Sequence, residues 1–198
     1  TALEAGDGDP AIKVFIIAGS GGVFTAGNDM VDFMQAPPHV GGGEVPPVEH
    51  FMRALLNATK PVVAAVDGLA IGIGVTMLMH CDLVYASPRA SFNTPFVDLA
   101  LAPEYGSSQM MPRMFGHVIA ADLLLLGSTW TADKAARHGL INDVADDVEA
   151  MARATATNLA AKAPGSLKAA KALMRRPAEA IGDRISMEGG MFAELLRS

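Results

Sequence analysis

Apolar residues fall along this chain in short β-branched runs separated by glycine-rich turns. Ile12 to Ala18 (Ile-Lys-Val-Phe-Ile-Ile-Ala) is bounded by Pro10 and Gly19 and predicts a buried strand. Val62 to Val66, after Lys60-Pro61, repeats the pattern, and Asp82 to Ser87 repeats it again. Between the last two lies Gly68-Leu-Ala-Ile-Gly72-Ile-Gly74-Val-Thr-Met-Leu-Met-His80, whose glycines suit a tight turn and whose end suits an apolar helix. Strand, turn, helix and strand in that order make a crossover between parallel strands. The fold class is therefore α/β, with helices packed on the sheet faces.

After the first strand, Gly19 to Asp29 reads as a loop, and Met30, Phe33 and Met34 can share one face of a following helix. Pro37 to Pro47, with glycine at 41 to 43, predicts a mobile surface loop, and His50 to Thr59 a helix. Thr131 suits the N-cap of a helix over Ala132 to His138, with Gly139 as its stop. Val148 to Lys162, Ser166 to Met174 and Met187 to Leu196 predict a helical C-terminal region over about residues 148–198. Without an internal repeat or a second apolar core, residues 1–198 are expected to form one domain. The opening Thr-Ala-Leu-Glu-Ala reads as the tail of a helix and lacks methionine, so residues upstream are expected.

Composition narrows the function classes. With 51% hydrophobic and 18% charged residues, the chain has enough apolar surface to offset its ordering entropy, which excludes global disorder. Fifteen basic against twenty-one acidic residues give a net charge of -6, which argues against a nucleic-acid partner. The only cysteine, Cys81, allows no internal disulfide, no Cys/His set has zinc-site spacing, and a reducing, cytoplasmic compartment fits. Gly68 to Met79, the longest uncharged apolar stretch, is shorter than the ~20 residues of a membrane-spanning helix. Thr1 to Asp9 lacks the basic and apolar regions of a signal peptide.

Neither glycine-rich turn is a nucleotide site: Gly19-Ser-Gly21-Gly22 has no Gly-Lys-Ser/Thr after it, and Gly72-Ile-Gly74 lacks the third glycine of a dinucleotide fingerprint. Both can present backbone N–H groups where a strand ends and a helix begins. Two such ends meeting on one oxygen would form an oxyanion hole from the amides of Asn28 and Ile73, although the glycines equally suit close helix-to-sheet packing. No nucleophile elbow occurs, and Cys81 reads as a small core residue. His39, His50, His117 and His138 lie in surface-like sequence, and His80 reads as a core or capping residue. Among the carboxylates, Glu104 follows Leu99-Ala-Leu-Ala-Pro103, and Asp98 is the only charge from Phe92 to Pro103. Apolar surroundings would raise its pKa toward that of a general base; the alternative is an exposed acid in a first helical turn after Pro103. Asp82, ahead of a strand, reads as a structural hydrogen-bonding group.

In order along the chain, Phe24-Thr-Ala-Gly-Asn-Asp, Lys60-Pro-Val-Val-Ala-Ala-Val-Asp-Gly68, Gly72-Ile-Gly74, Cys81-Asp82, Thr131-Ala-Asp-Lys-Ala-Ala-Arg-His-Gly-Leu-Ile141 and Lys171 resemble the crotonase (enoyl-CoA hydratase/isomerase) superfamily. The resemblance covers nearly the whole chain apart from the family's opening strands and first helix. It implies a spiral of β-β-α turns, a homotrimer or dimer of trimers, and an acyl-CoA thioester substrate whose carbonyl oxygen binds the Asn28 and Ile73 amides. It further implies substrate contacts from Ala26, Gly27, Asn28, Asp29, Met30, Gly72, Pro95 and Phe96. No metal or redox cofactor is implied, because coenzyme A arrives with the substrate.

Hydratases of the superfamily carry glutamates at positions that align with Thr76 and Phe96, neither of which can activate water. Phe92-Asn-Thr-Pro-Phe96 and Pro103-Glu-Tyr-Gly-Ser-Ser108 resemble instead the peroxisomal-type 3,2-enoyl-CoA isomerases, in which the glutamate after proline is the sole base. That residue is Glu104, and the resemblance implies an isomerase. Hydration, another crotonase reaction, or a non-catalytic acyl-CoA-binding scaffold are the alternatives. Two departures stand out: Tyr105 replaces a small residue, and Asn93 a common histidine.

Overall fold

A computed structural model describes residues 1–27 and 45–197. Val62–Val66 (β3) is buried along its whole length. Val62, Ala64 and Val66 face the larger core, while Val63 and Ala65 pack with Val148 and Ala152 of a helix over Val148–Ala160 (α7). Burial on both faces is why this strand reads as an unbroken apolar run. It is flanked by Phe15–Ala18 (β1) and Leu83–Ala86 (β5), and Asp143–Val144 (β8) completes a four-stranded parallel sheet in the order β1-β3-β5-β8. The first predicted strand is shorter than expected, starting at Phe15 rather than Ile12.

A second sheet accompanies the first: Val23–Thr25 (β2), Leu69–Ile71 (β4), Ser91–Asn93 (β6) and Trp130–Thr131 (β7), in the order β2-β4-β6-β7. The strand at Leu69–Ile71 lies where the sequence suggested only a turn. Each strand has a single buried residue (Phe24, Ala70, Phe92 and Trp130), too few for a periodicity to register. The first six strands alternate between the two sheets, with helices after the second of each pair, giving the expected spiral of β-β-α turns; β7 then joins the second sheet beside β6, and β8 the first, with a helix over Ala132–Arg137 between them.

The helices are Ala2–Gly8 (α1), Pro47–Asn57 (α2), Ile73–Thr76 (α3) continued by a 3₁₀ turn over Met77–His80, Ser107–Phe115 (α4), His117–Leu124 (α5), Ala132–Arg137 (α6), α7, Pro164–Met174 (α8) and Ile181–Leu195 (α9). Thr131 caps α6 by accepting from the Lys134 amide, as predicted. Three starts differ from expectation. The second helix begins at Pro47, the eighth at Pro164 and the ninth at Ile181, the first two because proline suits the opening position of a helix. The helix predicted around Met30, Phe33 and Met34, and nearly all of the loop predicted from Pro37, lie outside the described residues.

Candidate active site

The site is assembled where three strands of the second sheet end. Strands β2 and β4 pair in parallel, with Thr25 opposite Ala70, so both chains leave the sheet at the same edge. There Gly27 (φ +95°) comes so close to the next strand that a Cβ would sit 3.2 Å from the Ile71 carbonyl oxygen. A Cβ on Gly74 would lie 2.6 Å from the Thr25 methyl, so this glycine lets α3 pack on the end of β2. Gly72 (φ +57°) turns the chain from strand into helix, and its amide donates to the Asn93 carbonyl at 2.9 Å. Val75 and Thr76 donate to the Gly72 carbonyl, leaving Ile73 and Gly74 as the first helical amides, which have no acceptor within their own helix. The sheet thus brings Gly27 beside the Gly72–Ile73 turn; Asn28, Asp29 and Met30 lie outside the described residues.

These turns open onto an apolar cavity of about 580 Å³. Ala26, Gly27, Gly72, Ile73, Pro95 and Phe96, all expected to contact substrate or supply its oxyanion hole, line it. Other lining residues were not anticipated: Val48, Glu49 and Met52 come from α2, and Leu99 and Leu101 from the loop beyond Phe96. Nothing in the local sequence of α2 distinguishes those positions, since only the tertiary fold carries that helix over the cavity.

Glu104 also lines the cavity. It precedes α4 rather than sitting in its first turn, contrary to the exposed alternative, and it is partly buried. Its backbone carbonyl accepts from the Ser107 amide (3.0 Å) and hydroxyl (2.7 Å), which fixes the chain beneath the side chain. The Thr76 hydroxyl donates to Glu104 Oε1. Burial raises the Glu104 pKa above that of an ordinary carboxylate, and the Thr76 hydrogen bond only partly opposes this. Glu49, the other carboxylate lining the cavity, is exposed enough to pair with Arg53 at 2.5 Å. Among the described residues no cation pairs with Glu104.

The remaining candidates resolve into structural roles. Phe96 is buried, 7% exposed, against the cavity. Asn93 turns away from it and donates to the Gly127 carbonyl at 2.6 Å. Burial pushes the Cys81 thiol up to about 12, so it is inert as a nucleophile. Asp82 accepts from Lys171 Nζ (2.6 Å) and the Val62 amide (2.7 Å), an anchoring role. Residue types alone did not reveal the Thr76 contact, because a hydroxyl in an apolar run gives no sign of its partner.

The pattern defining the enoyl-CoA hydratase/isomerase family matches residues 1–197. This chain belongs to that family. It is 34% identical over 184 residues to enoyl-CoA delta isomerase 2 of Homo sapiens, covering 88% of this chain and 46% of that protein. It is 38% identical over 150 residues to crotonyl-CoA hydratase of Syntrophomonas wolfei, covering 75% of this chain and 57% of that protein. The chain therefore spans about half the length of these relatives. A structure described as an enoyl-CoA hydratase/carnithine racemase from Magnetospirillum magneticum superimposes with a TM-score of 0.93 at 46% identity, covering 100% of this chain and 77% of that one. The fold is accordingly that of the crotonases. Among the described residues, no helix is long and apolar enough to cross a membrane, and no group of three or more His, Cys, Asp or Glu could hold a metal ion.

Proposed function

We propose that this chain moves the double bond of a 3-enoyl-CoA to the 2-position, with Glu104 as the proton shuttle. The observation that carries this reading is one partly buried carboxylate, free of cation partners among the described residues, on an apolar cavity beside the Gly72–Ile73 turn. Ionised Glu104 takes a proton from C2 of the substrate, and the C2–H electrons delocalise through the C3–C4 double bond and the thioester carbonyl. The dienolate oxygen is held by the amides of Ile73 and Asn28. Protonated Glu104 then returns its proton to C4, leaving the double bond between C2 and C3 and the carboxylate as it began. A positioned base contributes about 10²–10⁴ in rate and an oxyanion donor about 10²–10³.

Isomerisation is favoured over hydration because Thr76 and Phe96 stand where a second carboxylate would be needed to activate water. The apolar wall also disfavours water beside the conjugated product. Thr76 hydrogen-bonds the charged form of the carboxylate, which partly opposes the effect of burial. Coenzyme A enters as part of the substrate. Assembly as a homotrimer or dimer of trimers belongs to the same proposal, and is supported by α9, which has no buried residue and exposes Ile181, Ile185 and Phe192.

Separate incubations with 3-enoyl-CoA and 2-enoyl-CoA test the reading. Conversion of the first to the conjugated isomer is expected; hydration of the second with no use of the first makes the protein a hydratase. Binding without turnover of either makes it a scaffold.

A further inference from the structure

Thr76 and His80 are one helical turn apart on α3 and its 3₁₀ extension, and they grip two consecutive residues of the base loop. Thr76 bonds the Glu104 carboxylate, while His80 Nε2 lies 2.9 Å from the Tyr105 carbonyl oxygen. A carbonyl can only accept, so Nε2 carries the hydrogen. The His80 and Tyr105 rings also stack, with centroids 3.9 Å apart and planes at 28°. Tyr105 has φ +54°, a backbone conformation that residues with side chains rarely adopt and that persists only where the surroundings enforce it. Three contacts enforce it here: the stack, the His80 hydrogen bond, and the Tyr105 hydroxyl donating to the Met52 carbonyl at 2.5 Å, on the helix that walls the cavity.

His80 is itself fixed. It is 7% exposed, and its carbonyl accepts from Arg175 at 2.6 Å. Burial lowers the His80 pKa and, with the nearby Arg175, favours the neutral ring against the opposing Tyr105 hydrogen bond; burial raises the Tyr105 pKa, Cys81 and Glu104 act in the same direction, and Arg175 opposes them.

We propose that His80 and Tyr105 are a positioning pair that holds Glu104 against Thr76 and the amide-bearing turn by locking the base loop onto α3 and α2. This rests on Glu104 being the proton shuttle. Neither residue touches the reacting atoms: Tyr105 holds the backbone next to Glu104 in its rare conformation, and His80 holds Tyr105. A simple packing role would cost stability without altering the carboxylate.

Steady-state rates on 3-enoyl-CoA, with their pH profiles, are compared for the wild type, His80→Ala, His80→Gln, Tyr105→Gly and the His80→Ala/Tyr105→Gly double variant. Because a misplacement of about 1 Å can cost ~10²-fold, a loose base loop is expected to lower kcat by about tenfold or more in His80→Ala, with KM within about twofold. The acidic limb of its profile should move to lower pH as water reaches the carboxylate. His80→Gln, which keeps an N–H donor, should recover most of the rate. The double variant should be no slower than the slower single variant, since the two residues act as a unit. A folded His80→Ala with wild-type kcat and pH profile, or losses that multiply in the double variant, overturns the proposal. If His80→Ala does not fold, Tyr105→Gly decides, because glycine suits φ +54° while losing the stack and the Met52 tether; wild-type kcat there overturns the proposal equally. If the wild type leaves 3-enoyl-CoA unchanged, the isomerase reading fails, and a ¹³C titration of the Glu104 carboxyl decides the positioning role. An unchanged titration in the folded variant rejects it, and a shift toward an ordinary carboxylate supports it.

Discussion

Asp82 and Glu104 are both partly buried carboxylates, one just beyond and one beside the same helical segment, yet they meet opposite surroundings. Asp82 Oδ2 accepts from the Val62 amide and from Lys171, and Arg175 lies 3.6 Å from Oδ1. Among the described residues, the Glu104 carboxylate has a single hydroxyl donor and faces an apolar cavity. Burial alone thus does not decide what a carboxylate does. Where cations and amides meet the charge the carboxylate is an anchor; where they are withheld its proton affinity rises, as the role of base proposed for Glu104 requires.

Removing the cation from the anchoring corner should have the largest effect. Lys171 has a side chain only 5% exposed, and it also donates to the Lys60 carbonyl at 2.6 Å. Lys171→Ala should lose about 3–5 kcal/mol in urea unfolding, because it removes the close cation partner of Asp82 and leaves it only the Val62 amide and Arg175 at 3.6 Å. A loss below about 1 kcal/mol would show that Arg175 suffices. At the other corner, Glu104→Gln should reduce isomerase turnover by at least about 10² with acyl-CoA binding retained, since the amide keeps the volume but cannot accept the C2 proton. Near-normal turnover would reject Glu104 as the base.

Thr76→Val sharpens the contrast by removing the only side-chain donor to the Glu104 carboxylate among the described residues while keeping the shape. The carboxyl pKa should rise further, moving the acidic limb of the kcat/KM profile to higher pH and lowering turnover near neutrality by up to about tenfold. A limb that stays in place would separate the hydroxyl from the titration.

The smallest effect concerns stability and pH. The folded Glu104 pKa lies above its unfolded value of 4.5, so the folded state binds more protons in the window above 4.5. Stability from this group is full below pH 4.5 and is lost as pH rises through the raised folded value. Glu104→Gln should therefore be more stable than the wild type at neutral pH, with the gap closing on acidification. Paired denaturation curves at pH 4 and 7 check the sign.

The first sheet was legible because β3 is covered on both faces, so every residue of Val62–Val66 had to be apolar. The second sheet, with one buried residue per strand, left no such trace, although it carries the site. Helices α4 and α5 also went unread: Pro112 sits inside the first, and Gly116 (φ +82°) separates the two. Glu104 was picked out by its apolar neighbours and by the family motif around Pro103. Thr76 stood out only as a missing carboxylate, and the Tyr105–His80 contact could not be read, because the residues are 25 apart and nothing local couples them.

By itself, the sequence determined the α/β class, the helical C-terminal region, the two glycine-rich turns and the identity of the candidate base. These depend on local backbone freedom, on burial patterns within one element, or on motif order. The tertiary structure decided which turns meet, that α2 walls the cavity, and that one carboxylate is neutralised by cations while the other is not. Those outcomes depend on groups far apart in the chain, and the proton affinity of a carboxylate is a property of what finally surrounds it.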